Sequence, residues 1–282
     1  MMPKTIQFLA LLLIGAVAAN VRAQESLVES YLGEARSAIV RADYPRAERL
    51  YRVALTEANK LSNQVAKVEG ALTALNGLGN SLVSQQKLSD AESVVRTHIE
   101  LCELADNARS RRCLMARANL SEILQRESKF QEAEEMARRV LSLREESDVP
   151  QVDVGYSLVT LAAMFINQRR FEQAEPLLIK AVAIFGLIKG EEASRENVLA
   201  GVQAKRLLAT CLLERRNYVG AEAQIKTAIT VREILEGPNS IEMVEELRIY
   251  QRILTETHRT REASAVNARA IRIEKYYARV NQ

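Results

Sequence analysis

A short phrase that returns six times along the chain constrains the fold more than any other feature. Each copy has an aromatic or apolar residue, two variable positions and then Ala, which Glu usually follows. The copies begin at Tyr44, Leu88, Phe130, Phe171, Tyr218 and, in degenerate form, Thr260. Their alanines, at positions 47, 91, 133, 174, 221 and 263, are separated by 44, 42, 41, 47 and 42 residues. A period in this range predicts one supersecondary unit that is stacked repeatedly.

Each repeat contains two stretches with the apolar spacing of an amphipathic helix. In the second stretch, an apolar and usually small residue recurs seven positions after the alanine: Ala54, Val140, Ala181, Ala228 and Ala270, with His98 as the exception. In the first stretch, a small residue stands twelve positions before the alanine at Ala35, Gly79, Ser121, Ala162 and Ala209, whereas Gln251 breaks the pattern. Because small side chains let neighbouring helices approach closely, each repeat is predicted to be an antiparallel helical hairpin.

The N-terminus has the layout of a secretory signal peptide. Lys4 supplies a positive charge, and Ile6 to Ala19 are uncharged and mostly apolar. Val21 with Ala23, or Ala16 with Ala18, suits the small-residue positions before a cleavage site. The apolar run falls short of the ~20 residues that a spanning helix needs. We therefore predict a signal peptide at residues 1–23 and no stable membrane span after its cleavage, with an uncleaved anchor as the alternative. Residues 24–282 are predicted to form one continuous array, periplasmic or secreted.

Charge and motifs argue against several classes of function. Without residues 1–23 the chain has 37 basic and 36 acidic residues, and this balanced surface does not favour nucleic acid as a partner. Only two histidines occur, His98 and His258, and no metal-ligand spacing, phosphate-binding loop or nucleophile motif accompanies them. We therefore assign no catalytic residue, no metal site and no cofactor, and we expect a protein that is not an enzyme.

The repeat pattern resembles a known family. Leu-[Gly/Ala/Ser]-x-x-[Leu/Phe], followed by aromatic-x-x-Ala and a later small residue, is similar to the tetratricopeptide repeat, and the long period resembles the kinesin-light-chain type. The match covers roughly residues 27–280 and is strongest in the second to fifth repeats. The resemblance implies an all-α fold, a right-handed α-solenoid or superhelix of about six antiparallel helical hairpins.

The resemblance also implies a partner-binding groove along the first helices of the hairpins. In that family, peptide ligands often contact exposed positions of these helices. The corresponding residues here are Asn76 and Asn80 in the second repeat; Asn119, Glu122 and Arg126 in the third; Tyr156, Thr160 and Asn167 in the fourth; Gln203 and Arg206 in the fifth; and Arg248 and Arg252 in the sixth. Amide side chains can hold an extended backbone and arginines can pair with carboxylates, although solvated polar positions would look the same.

Two of the three cysteines fall where a disulfide is feasible. Cys102 is predicted near the end of one helix and Cys113 near the start of the next, so a short loop brings them together. Export would permit oxidation, and two reduced thiols are the alternative. Cys211 fits the apolar pattern of a first helix, which favours a role in packing.

The leading functional hypothesis is a non-enzymatic scaffold or adaptor, exported from the cytoplasm, that binds a peptide or protein segment in the groove. One alternative is an accessory or assembly subunit of a cell-envelope complex. Two others are an enzyme with an unrecognised site and an intracellular adaptor whose leader is misread. The sequence does not identify the partner.

Overall fold

The computed structural model describes residues 4–106 and 108–280, and the side chains within them from residue 19 onwards except at 191 and 280. Across these residues the protein is all-α, with twelve α-helices and no strand. The helices are α1 (Lys4–Val40), α2 (Tyr44–Ala58), α3 (Gln64–Ser84), α4 (Leu88–Ala105), α5 (Arg111–Arg126), α6 (Phe130–Glu145), α7 (Gln151–Asn167), α8 (Phe171–Leu187), α9 (Arg195–Glu214), α10 (Tyr218–Glu236), α11 (Val244–Glu256) and α12 (Thr260–Val280). Each odd-numbered helix and the next form one predicted hairpin.

The repeated small residues lie at the helix contacts. The alanine of the phrase is buried in all six repeats, and so are Ala54, Val140, Ala181, Ala228 and Ala270 seven positions later. Ala35, Ser121, Ala162 and Ala209 are also buried on the first helices. At Gly79 an added Cβ would lie 3.0 Å from a methyl group of Val95, which explains glycine in mid-helix. The predicted hairpin packing is therefore confirmed.

Each hairpin bends at a residue with a left-handed backbone. The six are Ala42, Gln86, Ser128, Arg169, Arg216 and His258, with φ values between 55° and 63°. Beside each of them, the N–H group of the following residue donates to a carbonyl five positions earlier, as Lys87 does to Leu82 at 3.0 Å. This bond is the helix-ending Schellman motif, which usually places glycine at the left-handed position. No glycine occupies it here, so the sequence alone did not reveal the motif.

The glutamate that follows the repeat alanine pairs with a basic residue in the next hairpin bend. Glu48 bonds Lys87, Glu92 bonds Lys129, Glu175 bonds Arg215 and Glu222 bonds Arg259. These carboxylates are only 14–21% exposed. The recurring Glu therefore joins successive repeats, which accounts for its place in the phrase.

A second joint lies eleven positions after the repeat alanine, where each second helix meets the first helix of the following repeat. The residues that meet are Ala58 and Gly70, Cys102 and Cys113, Arg144 and Ser157, Phe185 and Gly201, and Arg232 and Glu246. One register position thus holds an apolar contact, a disulfide, a hydrogen bond or an ion pair. The chemistry of the joint varies although its position is constant.

The described helices group into two compact units, residues 1–136 and 137–282. Residues 4–23 of the predicted leader fall in α1, and its residues 1–3 lie outside the described residues. Within residues 4–106 and 108–280, no helix combines the length and apolarity needed to cross a membrane. The signal peptide and the single continuous array after it stay predictions.

Candidate partner-binding site

In the first unit, the predicted groove residues remain on the surface of α3 and α5. Asn76 and Asn80 are exposed, and Asn119 is half-buried. Glu122 and Arg126 lie one turn apart and form an ion pair with each other at 2.7 Å. Their charges are therefore already balanced before any partner arrives.

In the second unit, a cavity of about 630 Å³ opens on the first helices. It is lined by Tyr156 of α7; Glu196, Leu199, Ala200, Gln203 and Arg206 of α9; Arg232 of α10; Ile241 and Glu242 of the turn before α11; and Glu245 and Glu246 of α11. Three of the predicted groove residues, Tyr156, Gln203 and Arg206, are among them. A cavity of this size is typical of small-molecule and side-chain binding sites.

Three residues of the cavity lining come from one register position in three successive repeats. Tyr156 stands six residues before Ala162, and Gln203 stands six residues before Ala209. Glu245 stands six residues before Gln251, the corresponding position of the last repeat. Stacking of the first helices therefore brings these three side chains to one cavity.

Tyr156 is held in place at this cavity by two contacts. Its ring meets the Phe185 ring edge to face at a centroid distance of 5.5 Å, and its hydroxyl donates to Asn197 Oδ1 at 2.9 Å. Burial raises the pKa of Tyr156, and the nearby charges of Glu196 and Asp153 raise it further. The Tyr156 side chain is therefore uncharged and held in a fixed orientation beside the cavity.

The two arginines of the cavity are both paired with carboxylates. Arg206 lies 2.9 Å from Glu245, and Arg232 bonds Glu246 at 2.9 Å and Glu236 at 3.0 Å. Burial alone would lower the pKa of Arg232, but the two glutamates outweigh it and raise the pKa. Both arginines are thus occupied by acids of the protein itself.

Glu246 is the most buried charged group at the cavity. It is fully buried, and Arg232 contacts only its Oε1 atom through two nitrogens, at 3.0 and 2.9 Å. Its Oε2 atom has no hydrogen-bond partner among the described residues. A buried acceptor without a donor costs about 1–3 kcal/mol, so this oxygen favours any donor that reaches it.

The other groove residues predicted in the second unit lie outside the cavity lining. The Thr160 hydroxyl donates to the Tyr156 carbonyl, and Asn167 is exposed at the end of α7. Arg248 bonds Glu274 and Asn267 of α12, and Arg252 bonds Glu214 of α9 at 2.6 Å. Both predicted groove arginines of the sixth repeat therefore pair with acids of neighbouring helices.

Sequence reasoning missed five charged residues of the cavity: Glu196, Arg232, Glu242, Glu245 and Glu246. Glu245 had a detectable signal, because it shares its register with Tyr156 and Gln203. That signal was masked because Gln251 replaces the small residue by which the register is counted. Arg232 lies on the second helix of its repeat, where a charged residue in the sequence is interpreted as part of the solvated surface.

The predicted cysteine pair lies at the joint between α4 and α5. The structure joins Cys102 and Cys113, whose Cα atoms are 5.7 Å apart, and both side chains are fully buried. The Arg117 guanidinium fastens the same loop by donating to the Ala108 carbonyl at 2.6 Å. The separation suits a disulfide, and its formation in the cell stays a proposal.

The fold of the described residues is similar to that of tetratricopeptide-like helical hairpins. A family model described as Tetratricopeptide repeat matches residues 113–147. No curated protein matches the chain.

Solved structures show the same fold at low sequence identity. BtubC (BKLC) from P. vanneervenii is 18% identical with a TM-score of 0.64, over 77% of this chain and 92% of that one. A putative kinesin light chain of Podosopora anserina is 13% identical with a TM-score of 0.60, over 73% and 96%. Pseudomonas aeruginosa pilF is 14% identical with a TM-score of 0.59, over 91% and 94%. At these identities the likeness establishes the fold alone, and it agrees with the predicted helical repeats.

Proposed function

We propose that this protein is a non-enzymatic interaction scaffold whose second unit binds a segment of a partner protein along α7, α9 and α11. One observation carries the proposal: Tyr156, Gln203 and Glu245 occupy the same register position in three repeats and line one cavity. A surface that repeats in this way suits an extended chain, because successive repeats can hold successive parts of it. The fold shared with tetratricopeptide-like structures supports the same role.

A steric block tests the scaffold role. Gln203 is exposed, so Gln203→Trp fills the cavity from its rim without disturbing the helix contacts. The matched control is Ala223→Trp, at an exposed position of α10 outside the cavity lining. Affinity capture from the source cells, followed by mass spectrometry, is expected to lose a specific partner at least fivefold with Gln203→Trp only. Equal recovery with both variants, at unchanged helicity, would contradict the proposal.

We also propose that the scaffold works outside the cytoplasm, in the periplasm or as a secreted protein. The leader pattern at residues 1–23 supports export, and the joined Cys102 and Cys113 suit an oxidising compartment. N-terminal sequencing of the protein recovered from its source is expected to begin at Gln24. An intact Met1 on the recovered protein would argue for the intracellular or membrane-anchored alternatives.

A further inference from the structure

We infer that the cavity of the second unit takes a lysine or arginine side chain of the bound segment. The inference rests on the proposed scaffold function. It specifies the partner as a polypeptide that has a basic residue where it contacts α9 and α11. Three features of the cavity support it, namely its charge, a buried acceptor without a donor and the apolar residues of its lining.

The charge of the cavity favours a cation. Four carboxylates line it, Glu196, Glu242, Glu245 and Glu246, against the two guanidinium groups of Arg206 and Arg232, so its formal charge is −2. Both arginines already contact carboxylates. An anionic ligand would therefore have to displace an existing ion pair, whereas a cation meets uncompensated acid. Because Glu242 and Glu245 are exposed to solvent, added salt is expected to weaken this preference.

The second oxygen of Glu246 supplies an acceptor that the protein does not use. Arg232 reaches only Oε1, and no described residue donates to Oε2, although the side chain is fully buried. Buried carboxylate oxygens ordinarily have donors. Because Glu246 is fully buried, this oxygen adds negative potential behind the cavity wall, and an ammonium or guanidinium group pairs with the exposed Glu242 or Glu245 through several N–H donors.

The apolar part of the lining fits the stem of such a side chain. Leu199, Ala200 and Ile241 border the same space as the acids, and the Tyr156 ring stands beside them. Lysine and arginine bury their methylene stems against apolar surface while the charged head meets polar groups. An aromatic face near the stem also attracts the cationic head. A bare metal ion would gain nothing from this apolar wall, so the lining favours a lysine or arginine side chain over a metal ion.

A pair of small peptides tests the preference directly on the full chain. The probes are acetyl-Gly-Ala-Arg-Ala-Gly-amide and the same peptide with citrulline, which keeps the shape of arginine without its charge. Methyl NMR is expected to show saturable shifts at Leu199 and Ile241 with the arginine peptide and at least fivefold weaker binding of the citrulline peptide. Added salt is expected to weaken the arginine peptide only. Equal binding of the two peptides, or shifts confined to other methyl groups, would overturn the inference.

A charge-removing variant identifies the acids that act. Glu242 and Glu245 are exposed, so Glu242→Gln with Glu245→Gln is expected to fold normally and to weaken the arginine peptide at least fivefold. The control is Glu274→Gln, which breaks a comparable surface pair with Arg248 outside the cavity lining and is expected to leave binding unchanged. Equal losses in both variants would assign the effect to general surface charge and refute a specific site.

Failure of this inference is distinguishable from failure of the scaffold role. If Gln203→Trp abolishes partner capture but arginine and citrulline peptides bind alike, the scaffold role stands and the basic side chain is refuted. If the arginine peptide binds selectively while no partner depends on Gln203, the preference of the cavity stands and the scaffold role is refuted.

Discussion

The Lys129 ammonium donates to the Glu92 carboxylate at 2.6 Å, although the two residues lie 37 positions apart in the chain. Glu92 follows the alanine of the second repeat, and Lys129 lies in the bend of the third. The hydrogen bond from Lys129 lowers the pKa of Glu92 to about 2 despite the opposing effect of burial, and Arg96 adds to the lowering. The same contact raises the pKa of Lys129 to about 12. In the first, second, fourth and fifth repeats, the glutamate that follows the alanine thus joins its repeat to the next.

Removal of this acid should loosen the stack. Glu92→Gln is expected to lower the free energy of unfolding by about 0.5–1 kcal/mol at pH 7, because the carboxylate is partly buried and bonds two cations. Since the folded-state pKa is depressed, the stabilisation is present above the unfolded-state value near 4.5 and is lost as the pH falls towards 2. Urea unfolding measures both effects. Glu100→Gln, at an exposed site of α4, is the control, and equal loss in both variants would contradict the role of Glu92.

His98 should make the protein lose stability at a higher pH than the one at which the Glu92 ion pairs are lost. This histidine occupies the site where other repeats have a small residue, is 3% exposed, and its Nε2 atom has no partner among the described residues. Burial, together with the nearby Arg112 charge, lowers its pKa to about 4. Because the unfolded chain takes up the proton near pH 6.5, stability should fall by about 1–2 kcal/mol between pH 7 and pH 5.

Two histidine variants check this pH dependence. His98→Ala is expected to flatten the fall between pH 7 and pH 5, whatever its stability at pH 7. His258→Asn should keep the fall, because His258 is exposed and Asn tolerates its left-handed backbone. An unchanged slope in His98→Ala would show that another group controls the response.

A count of free thiols should reveal the disulfide. In non-reducing denaturant, protein recovered from its native compartment is expected to show one free thiol, that of the buried Cys211, out of three cysteines. Closing the loop between Cys102 and Cys113 is worth about 2–3 kcal/mol in the chain-entropy model, so reduction should lower the thermal midpoint. Three titratable thiols in such protein would rule out the bond.

An alanine-to-glycine substitution should change the stability of the protein in opposite directions at a hairpin bend and in the middle of a helix. Ala42→Gly is expected to stabilise by about 0.5–1 kcal/mol, because Ala42 has φ 55° and glycine adopts that backbone freely. Ala223→Gly, in the middle of α10, should destabilise by about 1 kcal/mol, because glycine is a poor helix former. Thermal unfolding measures both, and destabilisation by both variants would disprove strain at the bend.

The sequence predicted the hairpins because a small residue at a helix contact leaves a periodic trace. It did not reveal the bends, since Gln86, Ser128 and Arg216 adopt a backbone that glycine usually marks. The sequence analysis predicted groove residues but no cavity. Tyr156, Gln203 and Arg206 follow from register. Arg232 and Glu246 meet at the constant joint position between repeats, but that position holds a different chemistry in each repeat, so the pattern does not predict an ion pair there.

The most direct test of the partner-binding surface is site-specific photo-cross-linking in the source cells. A photoreactive residue at Gln203 should capture one segment of one partner protein, and mass spectrometry should place a lysine or arginine beside the cross-linked position. The same group at Ala223, on α10, should capture nothing specific. Cross-links of the same partner from Ala223 and none from Gln203 would contradict the account.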